Sequence, residues 1–201
     1  MTGARKLLWP LVAILWLAGC ATPVPPNEPT DMVPRSLSAR MPASVDVFVD
    51  KVVVDSAAKN GETPFEQMTG KFPFVQPQGL DNYRQGIRLT LQAAGARTSA
   101  ERTPDADVLR TTILGGMSIP YAEAYSVLFV HYELEDGRNG KVLWSKTVYS
   151  QARLDNVQNQ AAEKPVANPA YGRLAAANLR QMTDSLAAWL AKSNPRKDSG
   201  N

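Results

Sequence analysis

Apolar residues recur along this chain at two different periods. From Val45 the sequence reads VDVFVDKVVVD. Apolar and polar residues alternate there and then give way to a β-branched run. This predicts a strand, because successive strand side chains point to opposite faces. Val108–Ile119, Tyr125–Glu135 and Lys141–Leu154 read the same way, and a short strand is expected at Ala96–Ala100. Gly115-Gly116 marks a bulge or bend. In the third of these segments Val127, Phe129, His131 and Glu133 share one face, and Leu128, Val130, Tyr132 and Leu134 share the other.

The period changes in two places. Leu80, Tyr83, Ile87, Leu91 and Ala94 recur at threes and fours and predict a helix over 80–94. Gly86 inside it marks close packing, and Gly95 supplies a stop. Tyr171, Leu174, Met182, Leu186 and Trp189 or Leu190 predict a second helix over 170–192. Asn168 before Pro169 suits an N-cap followed by proline at the first helical position. The order β, α, β, β, β, β, α predicts an α+β fold. Its architecture would be a two-layer sandwich, with a mostly antiparallel sheet of four to five strands and two helices on one face.

The N-terminus follows neither period. MTGARK carries positive charge, LLWPLVAILWLAG is apolar, and Cys20 follows. The apolar run is shorter than the roughly 20 residues a spanning helix needs, and it has the size of a signal-peptide core. Leu17-Ala18-Gly19-Cys20 resembles the bacterial lipobox. That resemblance implies removal of residues 1–19, acylation of Cys20 and attachment to a membrane through that lipid. Cys20 is the sole cysteine, so no disulfide forms within one chain. Ala21 stands where, by the sorting rule of Gram-negative lipoproteins, an Asp would retain the protein in the inner membrane. Its identity implies the outer membrane, facing the periplasm. Residues 21–44 carry six prolines. They are expected to form an extended tether reaching roughly 60–70 Å. The expected organisation is a signal peptide at 1–19, lipidated Cys20 and tether at 20–44, an α+β domain at 45–192 and a frayed tail at 193–201.

Composition narrows the classes. With 201 residues, 44% hydrophobic and 20% charged, the chain suits one domain plus tails. The formal charge of +3 falls to about +1 once Arg5 and Lys6 leave with the signal peptide. No Lys/Arg cluster tracks phosphates, so nucleic acid is not an expected partner. Arg84, Arg88 and Arg180 read as a solvated helix face.

Candidate chemistry is sparse. His131 is the only histidine. As a base it would need a nucleophile and an orienting carboxylate. Ser126 is near in sequence but falls on the opposite face, so His131 reads as a half-buried or solvent-facing strand residue. Asp105 and Asp107 in TPDAD lack the ligand set of a calcium loop and read as a turn and strand start. Gly115-Gly116 has no phosphate-loop context. Neither a metal nor a cofactor is expected. The long connection 56–79 places Phe65, Phe72 and Phe74 among Gly, Pro and polar residues. These three form either a partner-binding surface or a flap folded back over the sheet.

ADVLRTTILGGMSI, a further strand, YELEDGRNGKVLWSKTV and a closing helix resemble a recurrent module of bacterial periplasmic lipoproteins. In that module an Asp-Gly-Lys-Val-Trp hairpin turn joins the last two strands. Asp136, Gly140, Lys141, Val142 and Trp144 carry the match, with Ala106-Asp107 opening a strand. The module is similar to the N-terminal domain of TolB, the periplasmic core of CsgG, LptE, and ABC-transport auxiliary lipoproteins of the PqiC and YajG type. The likeness covers 45–192, with an insertion at 56–79. It implies a non-enzymatic docking or accessory subunit of an envelope complex, in lipid transport or outer-membrane assembly. The alternatives are an envelope hydrolase or transferase, and a ligand-binding lipoprotein. A pore-builder like CsgG would need a pair of long amphipathic hairpins, which are not evident in the pattern. The pattern leaves the oligomeric state open.

Overall fold

The computed structural model describes residues 26–55, 76–119, 125–153 and 169–193. Five strands form one sheet: β1 Asp46–Val54, β2 Arg97–Ser99, β3 Asp107–Ile119, β4 Tyr125–Glu135 and β5 Val142–Arg153. Their spatial order is β2-β1-β3-β4-β5. β1 runs parallel to both β2 and β3, whereas β3, β4 and β5 form an antiparallel meander with the longest ladders. Parallel neighbours need a crossover. Helix α1, Pro77–Ala93, provides it between β1 and β2. Helix α2, Pro169–Ser193, closes the chain. The result is the expected α+β sandwich, with a mixed but mostly antiparallel sheet.

The core lies between the sheet and the helices. Leu109, Ile113, Leu128, Val130, Leu134 and Val148 of the sheet face Tyr83, Ile87 and Leu91 of α1 and Leu174, Leu179, Met182 and Leu186 of α2. The alternation in β1 breaks once, and the register explains it. Val49 pairs with Leu109 but Val52 pairs with Thr111, so β1 spends one extra residue there. This bulge returns Val52 and Val54 to the buried face that Val47 and Val49 occupy. A second irregularity lies between Ile113 and Gly115, where the glycine pair predicted it.

Helix α1 ends as the sequence requires. Gly95 adopts φ +103°. Its N–H donates to the Gln92 carbonyl (2.9 Å) and the Ala96 N–H to that of Leu91 (3.1 Å). These are the two bonds of a Schellman stop. Gly86 is a point of close approach. A Cβ there would lie 3.1 Å from the Met32 Cβ and 3.5 Å from Leu179 Cδ1.

Met32 belongs to the expected tether, and here the expectation fails for the described part, residues 26–44. Pro29–Met32 form a 3-10 turn. Met32 is fully buried in the core, and Met41 is buried as well. The Asn27 carbonyl accepts from Asn82 Nδ2 of α1 (2.9 Å), and the Ser38 N–H donates to Asp184 Oδ1 of α2 (3.1 Å). The Met41 N–H donates to the Ala94 carbonyl (2.8 Å). The segment is a strap across both helices, and the folded domain includes residues 27–41 rather than starting at Val45. Prolines raise no objection to this role. A strap needs few backbone partners, and two methionines supply its apolar anchors.

Candidate functional site

Cys20, Phe65, Phe72 and Phe74 lie outside the described residues, as does the expected N-cap Asn168. The remaining candidates fall into four groups, of which three are structural.

His131 sits on the outer face of the sheet, opposite Thr112 on β3 and Thr147 on β5. Its Nδ1 lies 2.9 Å from Thr147 Oγ1 and its Nε2 3.4 Å from Glu133 Oε1. Hydroxyl, imidazole and carboxylate thus stand in a row. Sequence reasoning looked to Ser126 for the hydroxyl, but Ser126 is buried on the other side. Thr147 was missed because only the strand register brings it there. Among the described residues nothing beside the row is placed to hold a developing oxyanion. β4 is hydrogen-bonded on both edges, so its N–H groups are spent on the ladders. It is a polar cross-strand set on an open sheet face. Arg110 extends this polar face, with Glu135 at 2.7 Å and Asp50 at 3.9 Å.

The hairpin motif is a docking device for the fold. The Gly140 N–H donates to the Asp136 carbonyl (2.8 Å) and the Asp136 N–H to that of Lys141 (2.9 Å). Gly140 takes φ +72°. Gly137 lies so close to the strand entry that a Cβ would run into the Ala106 carbonyl oxygen. Asp107 accepts the Gly137 N–H. Burial pushes the Asp107 carboxyl up from the ordinary range, and nearby Asp136 adds to this against the pull of Gly137 and Arg138. Ala106-Asp107 and the Asp-Gly turn are therefore two halves of one contact. Asp105 only meets Arg138 at the surface, 2.9 Å away.

The third group is buried. Tyr132 donates to Asn178 Oδ1 (2.7 Å), which leaves its oxygen to accept from Tyr83, also 2.7 Å away. Asn178 Nδ2 donates to Ser150 Oγ (3.1 Å), with the Val148 carbonyl at 3.4 Å. Burial holds both phenols well above their ordinary titration range. The network ties α1, β4, β5 and α2 together with its polar groups mutually engaged, so it reads as structure rather than chemistry. The stripe of α2 carried a signal. Asn178 falls midway between Leu174 and Met182, on the apolar face.

The fourth group is a cleft of about 750 Å³ between the strap and the first turns of α2. Asn27, Asp31 and Arg35 line one wall, and Arg173, Ala177 and Arg180 the other. The seven-residue spacing puts Arg173 and Arg180 on one helix face about 10 Å apart. Small side chains between them leave the space open. All three arginines are exposed. Arg173 also donates to the Arg153 carbonyl (3.2 Å). Among the described residues no ion pair engages Arg35 or Arg180. Among the described residues Asp31 is the one carboxylate lining the cleft. The N-terminal pole of α2 adds to its positive potential. Such a site suits an anion.

Among the described residues no helix is long and apolar enough to cross a membrane. None of their His, Cys, Asp and Glu side chains group as three around a metal position.

No family model matches the chain, and no curated protein does. Several solved structures resemble it. One is a Xanthomonas campestris protein of the DUF330 family, at 11% identity over 81% of this chain and 97% of that one, with a TM-score of 0.47. Another is a minor lipoprotein from Acinetobacter baumannii, at 15% identity over 71% and 92%, with a TM-score of 0.43. A third is the PelC dodecamer from Paraburkholderia phytofirmans, at 15% identity over 74% and 93%, with a TM-score of 0.44. Likeness at this level brings no activity, substrate or partner to this chain.

Proposed function

We propose that this chain is a lipid-anchored, non-catalytic accessory subunit of a bacterial envelope complex, held at the outer membrane and facing the periplasm. One observation carries the reading. A charged start and a short apolar run end at Leu17-Ala18-Gly19-Cys20, directly before a folded domain. The non-catalytic part is supported by the geometry at His131, where β4 spends its N–H groups on the ladders, and by the closed state of the tyrosine–asparagine network. Lipid transport or outer-membrane assembly is the process in view, and Phe65, Phe72 and Phe74 are its proposed partner surface.

The test is metabolic labelling with an alkyne fatty acid, followed by intact mass and density-gradient fractionation. The natural chain should carry acyl chains on a mature protein starting at Cys20 and should band with outer membrane. Cys20→Ser should lose both properties. An unlabelled, soluble natural chain would sink the reading. Loss of cellular function in a folded His131→Ala variant would favour a hydrolase or transferase instead.

A further inference from the structure

The strap changes how far the domain can stand from its anchor. Seven residue steps separate Cys20 from Asn27, which lines the cleft. Fully extended they span at most about 25 Å. A domain of this size has a radius of gyration of about 15 Å. The leash is thus shorter than the domain is wide. Whatever side the strap enters from is the side kept near the bilayer. That side carries the cleft.

We propose that the cleft between the strap and α2 is a docking site for the phosphate headgroups of anionic phospholipid in the leaflet that holds the Cys20 lipid. The inference rests on the anchor reading above. Its own support is the chemistry of the cleft. Arg35 and Arg180, which no ion pair engages among the described residues, line it together with Arg173, and among the described lining residues Asp31 is the one carboxylate. Guanidinium groups bind phosphate through paired N–H donors. The open shape admits a headgroup while its acyl chains stay in the bilayer. Each guanidinium near an anionic surface strengthens docking roughly fivefold. Three would turn a loose leash into an oriented domain, with the sheet's outer face turned away from the strap side and free for partners.

The test uses the full lipidated chain in vesicles, with intact mass confirming acylation and amide hydrogen exchange as the readout. Two vesicle compositions are compared, pure phosphatidylcholine and phosphatidylcholine with one third phosphatidylglycerol. Amides of 27–36 and 169–180 should exchange more slowly with phosphatidylglycerol, and 0.5 M salt should remove the difference. The triple variant Arg35→Gln/Arg173→Gln/Arg180→Gln should behave in both vesicles as the natural chain does in phosphatidylcholine. Each single variant should lower the ratio of docked to undocked domain roughly fivefold. An acylated chain with the same exchange in both vesicles overturns the cleft proposal and leaves the anchor standing. So does equal protection by inorganic phosphate alone, which would make the cleft a soluble-anion site. A chain without acyl groups overturns the anchor, and with it the delivery of the cleft to a bilayer.

Discussion

Met32→Ala separates a packed strap from a free tether. Met32 is fully buried, against Gly86 of α1 and near Leu179 of α2. Truncating a buried methionine to alanine removes its burial and leaves a void, which costs about 2–5 kcal/mol. The strap is a short 3-10 turn at the domain edge and relaxes inward more easily than a core helix. The lower half of that range therefore applies, about 2–3 kcal/mol. At about 2–4 °C per kcal/mol for a chain of this length, the midpoint should fall by about 4–12 °C. Circular dichroism of the full chain at 222 nm reads this directly. A residue in a solvated tether would cost nothing. A shift under about 1 °C would refute the strap, restore the long reach expected from proline content, and remove the geometric basis for holding the cleft near a bilayer.

Three further outcomes follow from the same packing. Gly137→Ala should cost about 3 kcal/mol, because backbone of residues 104–106 must move, whereas Gly140→Ala, with open space around it, should cost only about 1 kcal/mol for its positive φ; equal losses in urea unfolding would contradict the docked turn. Tyr132→Phe should cost about 1 kcal/mol, since Tyr83 can turn to Asn178 Oδ1 at 3.3 Å, and Asn178→Leu about 3 kcal/mol; strict additivity in the double variant would deny the network. Two of the six tyrosines, Tyr83 and Tyr132, should fail to ionise at 295 nm until the fold opens. Their folded-state values lie above the unfolded value of about 10, so stability is complete below that pH and falls as pH rises above it, by up to about 2.7 kcal/mol per unit for the pair.

Most of the sheet was legible because strands written with alternating β-branched residues have few other ways to fold. The glycines were equally readable. Gly95 and Gly115 sit where the chain turns or slips register. Other features stayed hidden for distinct reasons. The strap was masked by its prolines, which dominate composition while Met32 and Met41 make the contacts. Thr147 joins His131 only through a pairing register that spacing along one chain does not reveal. The cleft brings Arg35 to Arg173 and Arg180, more than a hundred residues further along the chain, and each alone reads as an ordinary solvated side chain. Asn178 is the instructive case. Its place in an apolar stripe was visible, but a polar residue there states only that partners exist, and Tyr83, Tyr132 and Ser150 come from three other elements.

The hydrogen bond from Ser38 to Asp184 joins residues 146 positions apart. The strap is among the first parts of the domain to be synthesised and α2 is the last. The strap can lie against α1 beforehand, but it cannot complete its docking until α2 exists, and Met32 lacks the α2 part of its cover until then. Contacts this distant in sequence slow folding, because the chain must close a long loop before they repay it. During synthesis the domain therefore remains unlocked until α2 is available. The order in which its pieces are made thus delays the closing of the fold to the end of synthesis.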